Sequence, residues 1–401
     1  MSSAPELPPF RVIAAALRTT TEHLTRELRD PAPHAPSWSD FEWRVAMAAA
    51  SVQGLSTLLA NRLRWGGPTT WRRFLDEQRE RSIDRQRVID TSIQRIGGAL
   101  NAAQLAAVGL KGTALRQLDL YQPGERPMGD VDLLVRGQDL GAIGTALRDI
   151  GYVLLYTSER HATYMPAAPA ATVAFGEHPA NALSIEVHQT IAERLPVHRV
   201  DITDRVLPAL QRPGLAGYPD SGALMCHLLL HAAGNMRQHA LRFIQLCDIA
   251  RLAPLLERAD WHANAFWWAY PPLALTERSF PGSIPTDVLE SAAAQCRGTL
   301  RRSARRWCVS DVSWSNLRAH AVPGIRWARS PLEALRFFLS RALPSRQAHA
   351  MLECAVEAQP HLKDVPWYTL SQTQRILRWA VSRPPRVQTL LSVRAACALR
   401  D

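Results

Sequence analysis

Residues Val108 to Val135 read VGLKGTALRQLDLYQPGERPMGDVDLLV, and the layout of the chain can be worked out from them. A lysine-glycine turn precedes a helix-like segment, and Asp130-Val131-Asp132 then opens an apolar run. Successive strand side chains alternate faces, so Asp130 and Asp132 point one way and Val131 the other. This is a metal-binding geometry. Two carboxylates on one rigid strand can bridge a pair of hard cations such as Mg²⁺, which prefer oxygen ligands and still take oxygens from a bound phosphate chain. At Gly112-Thr113 a strand turns into a helix; glycine there lets backbone N–H groups approach phosphate, and the helix turns its positive end to the same anion.

Reading outward from this stretch, Leu105–Leu110 is expected to be the first strand, Thr113–Leu120 the first helix of the core and Val131–Val135 the second strand. Gln138–Ile150 reads as a helix closed by Gly151, a natural C-terminal glycine cap. Tyr152–Tyr156, His161–Met165, Ala171–Phe175 and Leu183–His188 are short strand candidates set off by Pro, Gly and polar turns. PAAPAA, Pro166 to Ala171, reads as a flexible loop beside the sheet. Ahead of the core, Glu6 to about Arg64 carries helical spacing at Phe41, Val45, Ala48 and Val52, interrupted at Pro31, Pro33 and Pro36. Thr70–Ala103 reads as a long amphipathic helix. Ile89, Ile93, Ile96 and Leu100 line one side, and the run DEQRERSIDRQR is a solvated face with i,i+4 pairs. Beyond Thr190 the strand patterns stop. Asp204–Leu210, Ser221–His231, His239–Leu256, Pro285–Arg302, Pro331–Leu343 and Leu370–Arg383 all fit helices.

With 401 residues and 47% hydrophobic content the chain has ample material for a packed core. It contains no uninterrupted apolar run of about 18 residues, and its first residues lack a basic start leading into an apolar signal core. The expectation is a cytoplasmic protein with no membrane partner. Six widely spaced cysteines, with no CxxC, read as buried free thiols. The formal charge is +11 and almost all of the base is arginine, since lysine occurs only at Lys111 and Lys363. Arginine scattered among acids and apolar positions reads as compositional bias, which disfavours nucleic acid as a partner. Lys111, inside the motif, either neutralises a phosphate chain or is a solvated turn residue.

At LKGTAL…Y…ERPMGDVDLLV the chain resembles the DNA polymerase beta-like nucleotidyltransferases. Their signature is a Gly-Gly or Gly-Ser at a helix start, an Asp-x-Asp/Glu on the next strand and a third carboxylate on a later strand. Within that superfamily it is most similar to a bacterial uncharacterised nucleotidyltransferase group, some of whose members lie near peptide natural-product genes. Thr113 stands where glycine or serine is usual and keeps a hydroxyl. The resemblance implies an α+β fold: a small mixed β-sheet nucleotidyltransferase core with flanking helices and a large helical C-terminal part. The expected division is a helical region over 1–104, the catalytic core over 105–200 and a helical domain over 201–401.

By resemblance, Asp130, Asp132 and Glu186 hold Mg²⁺ or Mn²⁺ and carry catalysis, Glu186 in LSIEVHQTI supplying the third acid and accepting the attacking proton. Lys111, Gly112, Thr113, Arg126 and His188 form the nucleotide-binding set. Individual roles stay open on the residues alone. His188, two residues along the strand from Glu186, orients that carboxylate, touches phosphate, or does neither. Arg126 contacts phosphate or sugar, or caps the preceding turn. Tyr121 stacks on a base or packs in the core.

A separate question comes from His227 and His231, spaced i,i+4 on one helix face, with Asp248 on the next helix. The spacing can bind zinc, but without the glutamate of HExxH or cysteines at ligand spacing the better reading is buried, hydrogen-bonded histidines. The resemblance extends to this helix pair and implies that it shapes an acceptor cleft. Trp261, Trp267 and Trp268 read as core or interface residues.

The functional expectation is a metal-dependent transfer of a nucleotidyl group from a nucleoside triphosphate to a hydroxyl or phosphate acceptor, a peptide natural product or a small molecule. Two other readings stand beside it. One is a catalytically silent nucleotide- or protein-binding module of antitoxin type; the other is use of a nucleotide-sugar donor to tailor a phosphorylated peptide.

Overall fold

Helices α1 (Phe10–Glu27) and α2 (Asp40–Gln53) flank the proline-bearing segment expected to separate them. Ser39 caps α2 in a reciprocal box with Glu42, and Gly54 ends the helix in the left-handed conformation at φ 70°, where a side chain would be strained. Then come α3 (Ser56–Arg62) and α4 (Thr69–Ala102). The computed structural model describes residues 6–158, 160–168, 175–209, 212–344, 370–381 and 385–399.

The core elements follow the expected order with shifted ends: β1 (Ala106–Gly109), α5 (Gly112–Arg116), β2 (Asp130–Leu134), α6 (Leu140–Asp149), β3 (Tyr152–Thr157), β4 (His161–Pro166) and β5 (Ser184–His188). α5 is shorter than the Thr113–Leu120 pattern, because Asp119 takes up φ 49° and the chain leaves the helix before it. The strand expected at Ala171–Phe175 falls on residues 171–174, outside the described residues, as does part of the Pro166–Ala171 loop. Strands do not stop at Thr190. β6 (Ala192–Arg194) and β7 (Arg199–Asp201) form a hairpin, a short α7 (Thr203–Val206) stands in place of the longer Asp204–Leu210 helix, and β8 (Gly214–Ala216) joins the main sheet. Strands of three residues are too short to show an alternation in sequence.

The main sheet has six strands in the order β3-β4-β5-β2-β1-β8. β2 runs parallel to β5 and β1 parallel to β8, while the remaining neighbours are antiparallel, so the sheet is mixed and the fold α+β. Its register pairs Asp132 with Glu186 and Leu134 with His188 across β2 and β5, and Glu186 with Thr163 across β4 and β5. Alternation sends Val131, Leu133, Ile185, Val187, Ala162 and Tyr164 to one face, into a core with Ile89, Ile96 and Leu100 of α4 and Ile143 and Leu147 of α6. The carboxylates of the same strands are left on the opposite face.

On α4 the charged run carries the expected helical pair Arg81–Glu77 at 2.9 Å. It is not wholly solvated, however. Gln78, Ser82 and Arg85 are buried, and Arg85 donates to the Ala182 carbonyl at 3.1 Å, tying the helix to the loop that leads into β5.

α8 (Ser221–Gln238) and α9 (Phe243–Leu252) lead the helical second half. The expected helix Pro285–Arg302 is two, Thr286–Gln295 and Gly298–Ala304, with Cys296 extended between them. Pro331–Ala342 and Gln372–Val381 match expectation within the described residues. A large apolar core joins α1–α4 to α8 and α9, including Trp43, Trp71, Trp261 and Trp268, so those tryptophans are packing residues. Cys226, Cys247 and Cys296 are buried free thiols, Cys308 and Cys397 half-buried free ones, and Cys354 lies outside the described residues. Among the described residues no helix is long and apolar enough to cross a membrane.

Candidate functional site

The polar face of the sheet gathers Asp130 and Asp132 of β2 with Glu186 of β5. Each can offer a carboxylate oxygen within 4.8 Å of the others, a spacing that suits one divalent cation or a pair sharing ligands. Parallel register brings Asp132 and Glu186 side by side, and Asp130 stands one pleat up the same face. All three donors are hard carboxylate oxygens, the ligand type Mg²⁺ and Mn²⁺ select.

Three cationic or polar groups crowd these acids. The Lys111 Nζ lies 3.0 Å from one Asp132 oxygen, and the His188 Nε2 lies 2.9 Å from the other. His188 also sits 3.6 Å from a Glu186 oxygen, and His161 of β4 lies 3.7 Å from the second. Burial opposes the charge on Asp132, yet Lys111 and His188 outweigh it and hold its carboxyl far below the usual range. Asp130 has no such partner. Burial, then repulsion from Asp132, push its carboxyl up to about 6. Burial also opposes ionisation of Glu186, but the nearby His188 imidazole brings the value down on balance. The site therefore holds more negative charge than its own cations neutralise, a deficit that a bound cation relieves.

The turn before α5 is strained. Lys111 has φ 44° and ψ −110°, an uncommon conformation for a side-chain-bearing residue, costing on the order of 1–3 kcal/mol. It is held at both ends: its N–H donates to the Tyr218 hydroxyl at 3.1 Å, and its ammonium reaches Asp132. Burial opposes the Lys111 charge, but Asp132 and then Asp130 raise its pKa and keep it protonated. Gly112 leaves room for its neighbours: a Cβ there would lie 2.5 Å from the Arg126 Nη1 and 2.9 Å from the Met128 thioether, so a side chain would displace one or both. The Thr113 side chain is buried against Gly109, and its hydroxyl has no hydrogen-bond partner.

The residues beyond the strands are tied in from the helices. Arg126 makes a two-pronged pair with Asp248 of α9, Nε to Oδ1 at 2.8 Å and Nη2 to Oδ2 at 2.7 Å. The Tyr121 hydroxyl donates to the same carboxylate at 2.7 Å, so Tyr121 anchors a buried network, with Arg251 over its ring. His227 of α8 is 2.7 Å from the Tyr218 hydroxyl, and His231 is 3.2 Å from Asn235. Burial, then the charge of Lys111, lower the pKa of both histidines well below the ordinary value and leave them neutral. Both are hydrogen-bonded; His227 is buried and His231 half-buried. Neither belongs to a cluster of three metal-binding side chains among the described residues.

Sequence reasoning missed Tyr218, which bridges Lys111 to His227, and His161, which faces Glu186 and His188 across the sheet. His161 was readable as a strand residue, but its partner depends on the β4–β5 register, which sequence alternation does not fix. Tyr218 follows a strand too short to recognise.

A glycine turn thus lies beside three converging carboxylates on a mixed sheet, a group that could hold a metal ion. Residues 39–267 match the model of a family described as uncharacterised nucleotidyltransferase, and the chain belongs to that family. No curated protein and no solved structure matches it. Membership supports nucleotidyl transfer in general.

Proposed function

We propose that this chain moves a nucleotidyl group from a nucleoside triphosphate to a hydroxyl or phosphate acceptor, with Asp130, Asp132 and Glu186 holding Mg²⁺ or Mn²⁺. The observation that carries this is the register of β2 and β5, which sets Glu186 beside Asp132 on the face that also bears Asp130. When bound, the cation neutralises phosphate charge and polarises the α-phosphate. The donor set fits: three carboxylates, one of them raised by burial and crowding, suit a hard cation, and each oxygen of Asp132 keeps a lone pair beyond those facing Lys111 and His188.

The chain's own groups then divide the work. Gly112 and the backbone of the strained turn receive the phosphate chain at the start of α5, and Lys111 offers a point charge to the same anion. Arg126, aimed over Gly112 by Asp248, is placed for a phosphate or ribose oxygen of the donor. The acceptor oxygen forms a bond to the α-phosphorus as the bond from that phosphorus to the bridging oxygen breaks, and pyrophosphate leaves. Glu186, ionised, takes the acceptor's proton, and His188 keeps it oriented. A peptide natural product or a small molecule is the acceptor class we favour.

The test is calorimetric titration of the four ribonucleoside triphosphates and common nucleotide-sugars, with and without Mg²⁺, into wild type and an Asp130→Asn, Asp132→Asn double variant. Metal-dependent binding of one nucleotide that the double variant loses supports the reading and names the donor. Binding of none makes the chain a silent module.

A further inference from the structure

A cavity of about 510 Å³ is lined by Arg160, Thr190, Ala192, Glu193, Arg194, Arg199 and Arg237. Four of these residues are arginines, and Glu193 is the lone acid among the described lining residues. Its place in the chain ties it to the proposed reaction. Arg160 directly precedes His161 of β4, and Thr190 follows Glu186 by four residues, no more than about 14 Å of extended chain. The cavity thus opens just past the end of β5 that carries Glu186 and His188.

Arg160 pairs with Glu193, which is buried, and Arg199 pairs with Asp201 at 2.9 Å. The Arg237 Nε is buried with no hydrogen-bond partner, an uncommon fate for a guanidinium donor. Burial, eased in part by Glu193, and repulsion from Arg160 lower the Arg237 pKa, and the charge of an anion in the cavity offsets both. Arg160 and Arg199 are half-exposed, so the cavity is open to a ligand from solvent.

We infer that this cavity is an acceptor subsite that binds an oxyanion, a phosphate monoester or a carboxylate, carried by the molecule that receives the nucleotidyl group. A planar fork of N–H donors on each of several converging arginines is the chemistry that recognises such groups. The volume lies in the range of small-molecule sites, with room for an anionic substituent and part of the molecule that carries it. Naming the ligand an acceptor rests on the proposed transferase reading; the anion site itself does not.

The experiment titrates phenyl phosphate and benzoate, without nucleotide, into the full chain by calorimetry. Wild type, Arg237→Gln, Arg160→Gln, Arg199→Gln and the Asp130→Asn, Asp132→Asn double variant are compared. One of the two anions binds wild type, and the one that binds more tightly separates phosphate from carboxylate. Affinity falls at least tenfold in Arg237→Gln, falls severalfold in Arg160→Gln and Arg199→Gln, and stays within twofold in the double variant. Should Arg237→Gln misfold by circular dichroism, the two half-exposed arginines carry the test. Binding of neither anion, binding indifferent to both Arg160→Gln and Arg199→Gln, or binding lost in the double variant overturns the inference. Anion binding that persists while no nucleotide binds leaves the cavity standing and removes the transferase reading instead.

Discussion

Asp130→Asn separates the cost of the site from its use. The Asp130 carboxyl is pushed up to about 6 by burial and by Asp132, against an ordinary aspartate value near ~3.9. That difference corresponds to about 3 kcal/mol, and because Asp130 is only half-buried, solvent screening reduces it to about 1–2 kcal/mol. The sign comes from linkage. A carboxyl whose folded pKa is raised costs nothing below its unfolded value, and its full penalty is reached once pH has climbed above the folded value. In EDTA, then, Asp130→Asn matches wild type near pH 4 and is more stable by about 1–2 kcal/mol at pH 7.5. Saturating Mg²⁺ reverses the order. Metal at a hundredfold excess over its dissociation constant adds about 2.7 kcal/mol to wild type, and the variant, one ligand short, gains much less. Urea unfolding followed by circular dichroism at pH 4, 5, 6 and 7.5, with EDTA and with Mg²⁺, reads all of this. A variant less stable than wild type in EDTA at pH 7.5, or a gap that does not close toward pH 4, refutes the crowding argument.

Other perturbations give distinct signatures. Gly112→Ala places a Cβ 2.5 Å from the Arg126 guanidinium, so an overpacking cost of about 1–3 kcal/mol is expected in thermal melts, together with loss of nucleotide binding in calorimetry. Arg126→Lys keeps the charge but not the fork on Asp248, and chemical denaturation should show a loss of about 2–4 kcal/mol, while Tyr121→Phe costs only about 1 kcal/mol. Lys111→Met leaves the buried Asp132 with His188 as its close cation. It should destabilise the chain by about 3 kcal/mol, and carbon-detected NMR of the Asp132 carboxyl should find its pKa raised.

The succession of strands β1 to β5 along the chain and the two aspartates are readable because both rest on local pattern: alternation over DVDLLV, a glycine at a strand-to-helix turn, and turn residues between short apolar runs. Glu186 is a different case. Its strand is legible, but its position beside Asp132 depends on parallel pairing of β2 with β5, a non-local choice that no spacing encodes; the family resemblance supplied it. β6, β7 and β8 escape because three residues cannot display a period. Thr113 looks like a phosphate residue in sequence, yet its hydroxyl is buried against Gly109, since the first turn of α5 faces the sheet.

What the pattern conceals most is the dependence of the nucleotide turn on the helical half of the chain. Lys111 keeps its strained backbone because Tyr218, 107 residues on, accepts its N–H, and Tyr218 is held by His227 of α8. Arg126 stands over Gly112 because Asp248 of α9, 122 residues on, fixes both prongs of its guanidinium. Both clamps are buried and hydrogen-bonded, so loosening either helix frees a strained turn to relax and an arginine to swing away from the phosphate position. On the proposed transferase reading, α8 and α9 therefore bear on donor binding through these two clamps. His227→Phe tests this: with the Tyr218 hydroxyl left to Lys111 alone, nucleotide affinity should fall by about tenfold for a loss of about 1.4 kcal/mol at the turn, although His227 touches neither carboxylate nor cation. Unchanged nucleotide affinity in a folded His227→Phe chain breaks the link between α8 and the turn.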